Sequence, residues 1–153
     1  MTAVIQRINS ATVIADGKLS GSVGKGLYIL LGVEKGDTAN DAELMASKIS
    51  KLRIFSDENG RMNLSVLDVD GEVMVVSNFT LCANYAHGNR PDYLSAAAPA
   101  DAAELYEYFK SLISASVKKC ESGVFGADMQ TEMVTDGPVT IVMHSSVLSG
   151  GHK

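Results

Sequence analysis

The 153-residue sequence predicts one α+β domain built from antiparallel β-sheets and two main helices. Short apolar stretches of strand length recur along the chain, and Asp-Gly pairs of the kind that close β-hairpins stand beside them. Only two longer stretches carry apolar residues at helical spacing. Strands joined mostly in hairpins, with helices inserted, favour this class over a doubly wound parallel sheet.

The first part of the chain is predicted to be rich in β-structure. Residues 4–8 and 11–15 are strand-like, and Asp16-Gly17 after them is a hairpin signal. Residues 26–33 form a continuous apolar run of the length of a buried strand. We therefore expect this run to be a central strand of the sheet.

Residues 41–52 are predicted to form the first helix, because their apolar residues recur at helical spacing. The face that they form consists of Ala42, Met45, Ile49 and Leu52. Asp70-Gly71 further on is a second hairpin signal, placed between residues 66–67 and the apolar run 73–76. The run 73–76 is predicted to be a buried strand.

The second helix is predicted over residues 99–117, with Pro99 in its first turn. Its apolar face is predicted to consist of Leu105, Tyr108, Phe109 and Leu112. Residues 127–133 alternate between apolar and polar, which indicates a half-buried strand, and residues 139–143 form the last strand. We expect a single domain over residues 1–145 and a flexible, Gly-rich tail over residues 146–153.

Composition excludes several classes of function. No apolar run reaches the ~18 residues of a membrane span, and the first residues lack the pattern of a secretory signal. The two cysteines, Cys82 and Cys120, suit a reducing cytoplasm and have no metal-site spacing. A net charge of −5 argues against broad binding along DNA or RNA, although it permits local binding of an RNA 3′ end. We expect a cytoplasmic protein with no membrane partner, no DNA partner, no metal and no cofactor.

The segment Ser77-Asn78-Phe79-Thr80-Leu81 is the first candidate for a functional site. It follows the apolar run 73–76, and polar side chains at the end of a buried strand are costly unless they form hydrogen bonds. A Ser or Thr nucleophile normally needs a base, most often histidine. His87, in a loop beyond the segment, is the candidate base for a simple Ser/Thr esterase, and this alternative stays open.

The segment Thr135-Asp136-Gly137-Pro138-Val139-Thr140 is the second candidate. Together the two segments resemble the paired signatures of the D-aminoacyl-tRNA deacylases, which carry Ser-Gln-Phe-Thr-Leu and a Gly-Pro motif. The resemblance extends from Val4-Ile5-Gln6-Arg7 to about Met143. It implies the deacylase fold, with barrel- or sandwich-like antiparallel sheets, and removal of D-tyrosine and other D-amino acids from tRNA. Glycine misattached to tRNA is a further candidate substrate.

The resemblance also implies a mechanism without a catalytic triad. The N–H groups of Phe79 and Thr80 would face the scissile carbonyl, and the Thr80 hydroxyl would lie beside the ester. Ser77 would complete the catalytic segment, and Asn78 would bind the substrate. The hydroxyl next to the ester on the terminal ribose could help to activate water, so the protein supplies mainly orientation and an oxyanion site. Whether Thr80 is a nucleophile or a positioning group stays open.

The Gly-Pro motif would supply specificity for chirality. In the family the motif is cis and enters the active site of a second subunit, so the resemblance implies a homodimer whose sites are completed across the interface. Carbonyl groups at Gly137 and Pro138 would exclude an L-side chain. Arg7 would hold these carbonyls, Met129 would line the amino-acid pocket, and Arg90 would lie near the tRNA end.

Three positions depart from the family pattern. Asn78 stands where the family has Gln, Thr135 where it has Asn, and Asp92-Tyr93 where it has Ser-Phe. These departures bear on the substrate range and on RNA affinity. Two alternatives therefore stay open: a non-catalytic module that binds an RNA end or a small ligand on the same fold, and a related deacylase that acts on L-aminoacyl-tRNA.

Overall fold

The computed structural model describes residues 1–149, and residues 150–153 fall outside the described part of the chain. The strands of the described part are β1 (Thr2–Ala15), β2 (Lys18–Val23), β3 (Gly26–Gly32), β4 (Phe55–Ser56), β5 (Met62–Leu64), β6 (Glu72–Ser77), β7 (Cys120–Ser122) and β8 (Met129–His144). The α-helices are α1 (Ala39–Ser50), α2 (Pro99–Ser116) and α3 (Ser145–Ser149), and a 3-10 helix spans Phe79–Cys82.

The main sheet has six strands in the order β2-β1-β3-β6-β7, with β8 paired to β1 as well. Strand β1 is antiparallel to β2, β3 and β8. The pairs β3–β6 and β6–β7, however, are parallel. The expectation of antiparallel sheets is therefore confirmed only in part, because the main sheet is mixed. A parallel pair needs a long crossover, and α1 and α2 provide the two crossovers here.

The second Asp-Gly pair, Asp70-Gly71, does not close the predicted antiparallel hairpin. Asp70 does adopt a positive φ of 52°, as a tight turn requires, and the Gly71 N–H donates to the Val66 carbonyl at 2.9 Å. Residues 66–69, however, form a turn rather than a strand, so no hairpin closes here. The first hairpin signal was correct, since Asp16 and Gly17 join β1 to β2 with φ values of 47° and 77°.

The sheet separates two apolar layers and curls toward a barrel. Residues Leu27, Ile29 and Leu31 of β3 face the helices and belong to the main core. The alternate residue Tyr28 belongs to a second core on the opposite face, which Leu30 contacts. Strand β2 curls round to meet β7, where the Ser20 hydroxyl donates to the Ser122 carbonyl at 2.7 Å.

Both predicted main helices are present. In α2, Phe109 is buried and Leu105 and Leu112 pack against the core as predicted, and only Tyr108 departs from the predicted face. In α1, the predicted Ala42, Met45 and Ile49 are buried, and Leu52 lies beyond the helix end, half-buried against the core. In α2 the fully buried residues are Tyr106, Phe109 and Ile113. The predicted Tyr108 is 36% exposed, because Tyr106 instead turns inward and donates a hydrogen bond to the Val75 carbonyl at 3.0 Å.

The C-terminal part of the chain is longer in regular structure than expected. Residues 129–133 and 139–143 of the two predicted strands are parts of one strand, β8, which pairs along nearly all of β1, and residues 127–128 precede it. The first four residues of the predicted tail, 146–149, lie in helix α3, and Leu148 packs against the main core. Residues 150–153 of that tail lie outside the described residues. Among residues 1–149, no helix is both long and apolar enough to cross a membrane.

A candidate active site at the end of the central strands

A cleft of about 690 Å³ opens where β3 and β6 end. Its lining combines the end of β6, the 3-10 helix, the start of α2 and the start of β8. The residues that line it are Tyr28, Leu30, Val76, Ser77, Asn78, Phe79, Thr80, Ala96, Ala97, Pro99, Ala102, Phe125, Gly126, Ala127, Asp128, Met129 and Thr131. All four residues predicted from the first motif, together with Met129, therefore meet at one cleft.

The backbone of the motif is held against the end of β3. Ser77 ends β6 opposite Leu31, and the Asn78 N–H donates to the Leu31 carbonyl at 2.8 Å. The chain then turns sharply into the 3-10 helix, where the Leu81 N–H donates to the Asn78 carbonyl at 3.3 Å. Gly32 permits this close approach, since a Cβ atom there would lie 3.0 Å from both the Asn78 carbonyl oxygen and Leu81 Cβ.

The side chain of Asn78 organises Thr80. Its Oδ1 atom accepts a hydrogen bond from the Thr80 N–H at 3.2 Å and a second one from the Thr80 hydroxyl. The Thr80 N–H therefore already has a partner, whereas the Phe79 N–H has none within residues 1–149. Of the two backbone donors expected at the scissile carbonyl, Phe79 is the one free to bind an oxyanion.

The Phe79 ring is 60% exposed, which is unusual for a phenylalanine. Its edge meets the Tyr93 ring with centroids 5.0 Å apart and an interplanar angle of 75°. This T-shaped geometry is the favourable one for aromatic pairs. Tyr93, one of the departures from the family pattern, thus braces the motif from the following loop.

The sequence did not single out the pair Tyr28 and Thr131, which lies on the wall of the cleft. The Tyr28 hydroxyl and Thr131 Oγ1 are 3.0 Å apart. Burial raises the pKa of Tyr28, and the hydrogen bond with Thr131 partly offsets the increase. The Tyr28 hydroxyl therefore stays neutral and, with Thr131, places a polar pair on the wall of the cleft. Its position in a continuous apolar run hid it, because only the sheet face that it occupies distinguishes it from its neighbours.

Arg7, Gly137 and Pro138 do not line this cleft. Arg7 pairs with Leu27, at the opposite end of β3 from Leu31 and on the helix-covered face. Four residues of strand separate the two positions by about 13 Å. Within one chain, the second motif therefore lies apart from the first.

Arg7 anchors the strand segment that precedes the Gly-Pro pair. Its Nε lies 3.0 Å from Asp136 Oδ2 and donates to the Asp136 carbonyl at 3.3 Å, while its Nη1 donates to the Ile54 carbonyl at 2.6 Å. The guanidinium thus binds the carbonyl before Gly137, rather than the Gly137 and Pro138 carbonyls that we expected. The Gly137–Pro138 peptide is cis, and both residues are exposed.

The two remaining candidates are loop residues. His87 and Arg90 are both exposed in the segment between the 3-10 helix and α2. The Thr80 hydroxyl donates to Asn78 and not to His87. The hydrogen-bonded nucleophile–base pair that a Ser/Thr esterase needs is therefore not formed here.

Comparison with known proteins shows the family to which this chain belongs. The family model described as D-Tyr-tRNA(Tyr) deacylase matches residues 4–144. A D-aminoacyl-tRNA deacylase of Koribacter versatilis is 50% identical over 145 residues, which cover 95% of this chain and 97% of that protein.

Two solved structures have the same architecture. One, described as c-Myc DNA Unwinding Element Binding Protein, superposes with a TM-score of 0.88 at 37% identity and covers 94% of this chain and 98% of its own. Another, described as a probable eukaryotic D-amino acid tRNA deacylase, has a TM-score of 0.81 at 14% identity, with 94% and 99% covered. The second similarity concerns the fold alone.

Proposed function

The chain belongs to the D-Tyr-tRNA(Tyr) deacylase family and is a D-aminoacyl-tRNA hydrolase; we propose that the reaction takes place in the cleft beside Thr80. The observation that carries this proposal is the free N–H of Phe79 next to a threonine whose hydroxyl is already oriented. The substrates are D-tyrosyl-tRNA and other D-aminoacyl-tRNAs, with glycine on tRNA as a further candidate. The expected location is the cytoplasm.

The proposed reaction is hydrolysis of the ester between the amino acid and the terminal ribose. Water attacks the carbonyl carbon, the carbonyl oxygen becomes an oxyanion, and the Phe79 N–H stabilises it. The bond to the ribose oxygen then breaks. The hydroxyl of water stays on the acyl group and its proton goes to the ribose oxygen, so the products are a free D-amino acid and tRNA.

Thr80 acts in this proposal as a positioning group. Its hydroxyl donates to Asn78, so its lone pairs point away from that bond and can accept from a substrate amine or from the attacking water. No base removes its proton, which disfavours a covalent acyl-threonine intermediate. Orientation of bound reactants alone can supply a large part of a rate enhancement.

The proposed filter for chirality comes from a second copy of the chain. Gly137 and Pro138 are exposed and do not line the cleft of their own chain, and the β3 position paired with Arg7 lies about 13 Å along the strand from Leu31, which is paired with Ser77 of the first motif. In a two-fold dimer, an exposed segment of one chain can enter the cleft of the other, and the exchange is reciprocal. Gly137 and Pro138 would then exclude L-amino acids by contact near the substrate Cα.

A paired assay tests the proposal. Purified protein is mixed with D-tyrosyl-tRNA and, separately, with L-tyrosyl-tRNA, and loss of each ester is followed. Rapid loss of the D-ester alone is the expected result. Binding of both esters without cleavage would favour the RNA-end binding module, and cleavage of the L-ester would favour the related L-specific deacylase. Cleavage of simple esters that His87→Ala abolishes would favour the esterase alternative.

A further inference from the structure

A second groove, of about 520 Å³, lies at the C-terminal end of α1 and is separate from the cleft. Three half-buried leucines form its floor and three exposed cations stand on its rim. The residues that line it are Leu44, Ser47, Lys48, Lys51, Leu52, Arg53 and Leu148. We call this surface the α1 groove.

The cations of the α1 groove are available to a ligand. Within residues 1–149, Lys48, Lys51 and Arg53 have no carboxylate at ion-pair distance. The Lys51 ammonium donates a hydrogen bond to the Ser47 hydroxyl at 3.2 Å, and the Arg53 Nε–H donates to the Asn63 carbonyl at 2.8 Å. Such a concentration of positive charge is notable in a chain with a net charge of −5.

The α1 groove lies at the same end of the molecule as the Gly-Pro segment. Helix α1 starts beyond the end of β3 and runs back over about 18 Å toward the start of that strand. There the Ile54 carbonyl, one residue from Arg53, accepts a hydrogen bond from Arg7, which also holds Asp136. A short chain of contacts therefore links the groove to the residue before Gly137.

In the proposed dimer, this position would place the α1 groove beside the cleft of the partner subunit. If Gly137 and Pro138 of one chain enter the cleft of the other, the α1 groove of the first chain comes close to the mouth of that cleft. A tRNA whose 3′ end lies in the cleft must leave through this mouth with its phosphates. Lysine and arginine side chains that neutralise phosphates are the usual source of sequence-independent affinity for nucleic acid.

We propose that the α1 groove binds the phosphate backbone of the tRNA whose aminoacyl end occupies the partner subunit's cleft. The inference rests on the proposed function and on the dimer. It assigns RNA affinity to Lys48, Lys51 and Arg53 and leaves the ester chemistry to the cleft. It also accounts for RNA binding by an acidic protein, because the contact is local.

The test compares two substrates on a double variant, Lys48→Gln/Lys51→Gln. For full-length D-tyrosyl-tRNA we expect KM to rise about tenfold and the log–log salt dependence to become shallower by about two. For D-tyrosyl-adenosine, which has no RNA backbone, we expect kcat/KM to be unchanged. The matched control is Lys118→Gln/Lys119→Gln, two exposed lysines beside β7 at the far edge of the sheet.

A second measurement uses the unmodified protein. Uncharged tRNA should protect Lys48 and Lys51, but not Lys118, from an amine-acetylating reagent, as read by mass spectrometry. Three results would overturn the proposal. They are an unchanged KM for the tRNA ester, an equal loss of kcat/KM on both substrates, and no protection of Lys48 and Lys51 from acetylation. Equal protection by polyglutamate would also overturn it, by assigning the groove to an acidic protein. Failure of the wild type to cleave either D-ester would instead refute the proposed function. The protection experiment would still test whether the α1 groove binds RNA.

Discussion

The Oδ1 atom of Asn78 accepts hydrogen bonds from both the N–H and the hydroxyl of Thr80. One side-chain atom therefore fixes the orientation of the threonine and removes one of the two backbone donors from the cleft. The family pattern has the longer glutamine at this position. The shorter side chain of Asn78 bonds to its own turn, as asparagine commonly does two residues ahead of it.

Replacement of Asn78 should therefore affect catalysis more than binding. We expect Asn78→Ala to lower kcat on D-tyrosyl-tRNA by about tenfold, with a smaller change in KM, because Thr80 loses its fixed orientation. Steady-state kinetics of Asn78→Ala and of a control variant, Asn84→Ala, check this. Asn84→Ala is the matched control, since Asn84 makes the same kind of bond to the Ala86 N–H at 3.0 Å without lining the cleft. A rise in KM alone would show instead that Asn78 binds the substrate directly.

Gly32 offers a way to move the motif without changing it. A methyl group there would press on the Asn78 carbonyl and on Leu81, both at 3.0 Å. We expect Gly32→Ala to lower kcat by about tenfold or more, since small displacements of catalytic groups are costly. Gly24→Ala is the control, because its nearest neighbour would be 3.8 Å away. Full activity of folded Gly32→Ala would show that the position of Asn78 and Leu81 is not critical.

The sequence predicted the parts of this site that depend on local pattern. Residues 73–76 are apolar and the polar motif follows directly, so the strand and the place where it ends were both readable. The hairpin at Asp16 and Gly17 was equally predictable, because a two-residue hairpin turn needs positive φ values that Asp-Gly pairs adopt readily. The sequence did not predict which strands, distant along the chain, pair with each other.

Parallel pairing of β3 with β6 depends on contacts far apart in sequence, and no local signal carries it. The same limitation explains why Tyr28 was missed as a cleft residue. In a strand buried on both faces, alternation between polar and apolar residues disappears. Which face Tyr28 occupies follows only from the position of the helices.

Arg7 should control discrimination rather than rate. It holds Asp136 through an ion pair and a carbonyl bond and joins it to Ile54. We expect Arg7→Ala to raise L-tyrosyl-tRNA hydrolysis relative to D-tyrosyl-tRNA hydrolysis by about tenfold, because Gly137 and Pro138 lose their anchor. Lys118→Ala, which removes an exposed ion pair with Asp70, is the control. An unchanged ratio of L- to D-ester rates would contradict the role given to Arg7.

Asp41 should make stability depend on pH. Its Oδ2 accepts from the N–H and the hydroxyl of Thr38 at 2.9 and 2.8 Å, at the start of α1. Burial raises the pKa of this carboxyl, but the bonds from Thr38 outweigh it, so the pKa lies below its ordinary value. A lowered folded-state pKa stabilises the fold above the unfolded-state pKa, and this stabilisation is lost as the pH falls through the folded value.

We therefore expect Asp41→Ala to lower the free energy of unfolding by about 1 kcal/mol at pH 7. The difference from the parent should begin to shrink below about pH 4, where the unfolded carboxyl takes up its proton, and should vanish as the pH falls through the lower pKa of the folded parent. Urea unfolding at pH 7 and at pH 3 measures both. Glu104→Ala, an exposed acidic residue of α2, is the control. An equal difference at both pH values would refute the charge-dependent explanation.

Mixed dimers can show whether the filter for chirality acts between chains. Gly137 has a φ of 128°, and a Cβ atom there would lie 2.8 Å from the Val139 nitrogen, so Gly137→Ala distorts the segment. We expect this variant alone to cleave both esters, and Thr80→Ala alone to cleave neither efficiently. In a mixed dimer, the intact Thr80 cleft of the first chain would receive the intact Gly137 of the second.

After subunit exchange with a tenfold excess of Thr80→Ala chains, L-ester cleavage per Gly137→Ala chain should therefore fall to about a tenth, by random pairing of the two chains. D-ester cleavage per Gly137→Ala chain should stay constant, because its own Thr80 is untouched. The control is the same excess of a Thr80→Ala/Gly137→Ala double variant, which has no intact segment to donate. If L-ester cleavage is the same with both partners, the segment acts within its own chain or not at all, and the shared active site is refuted.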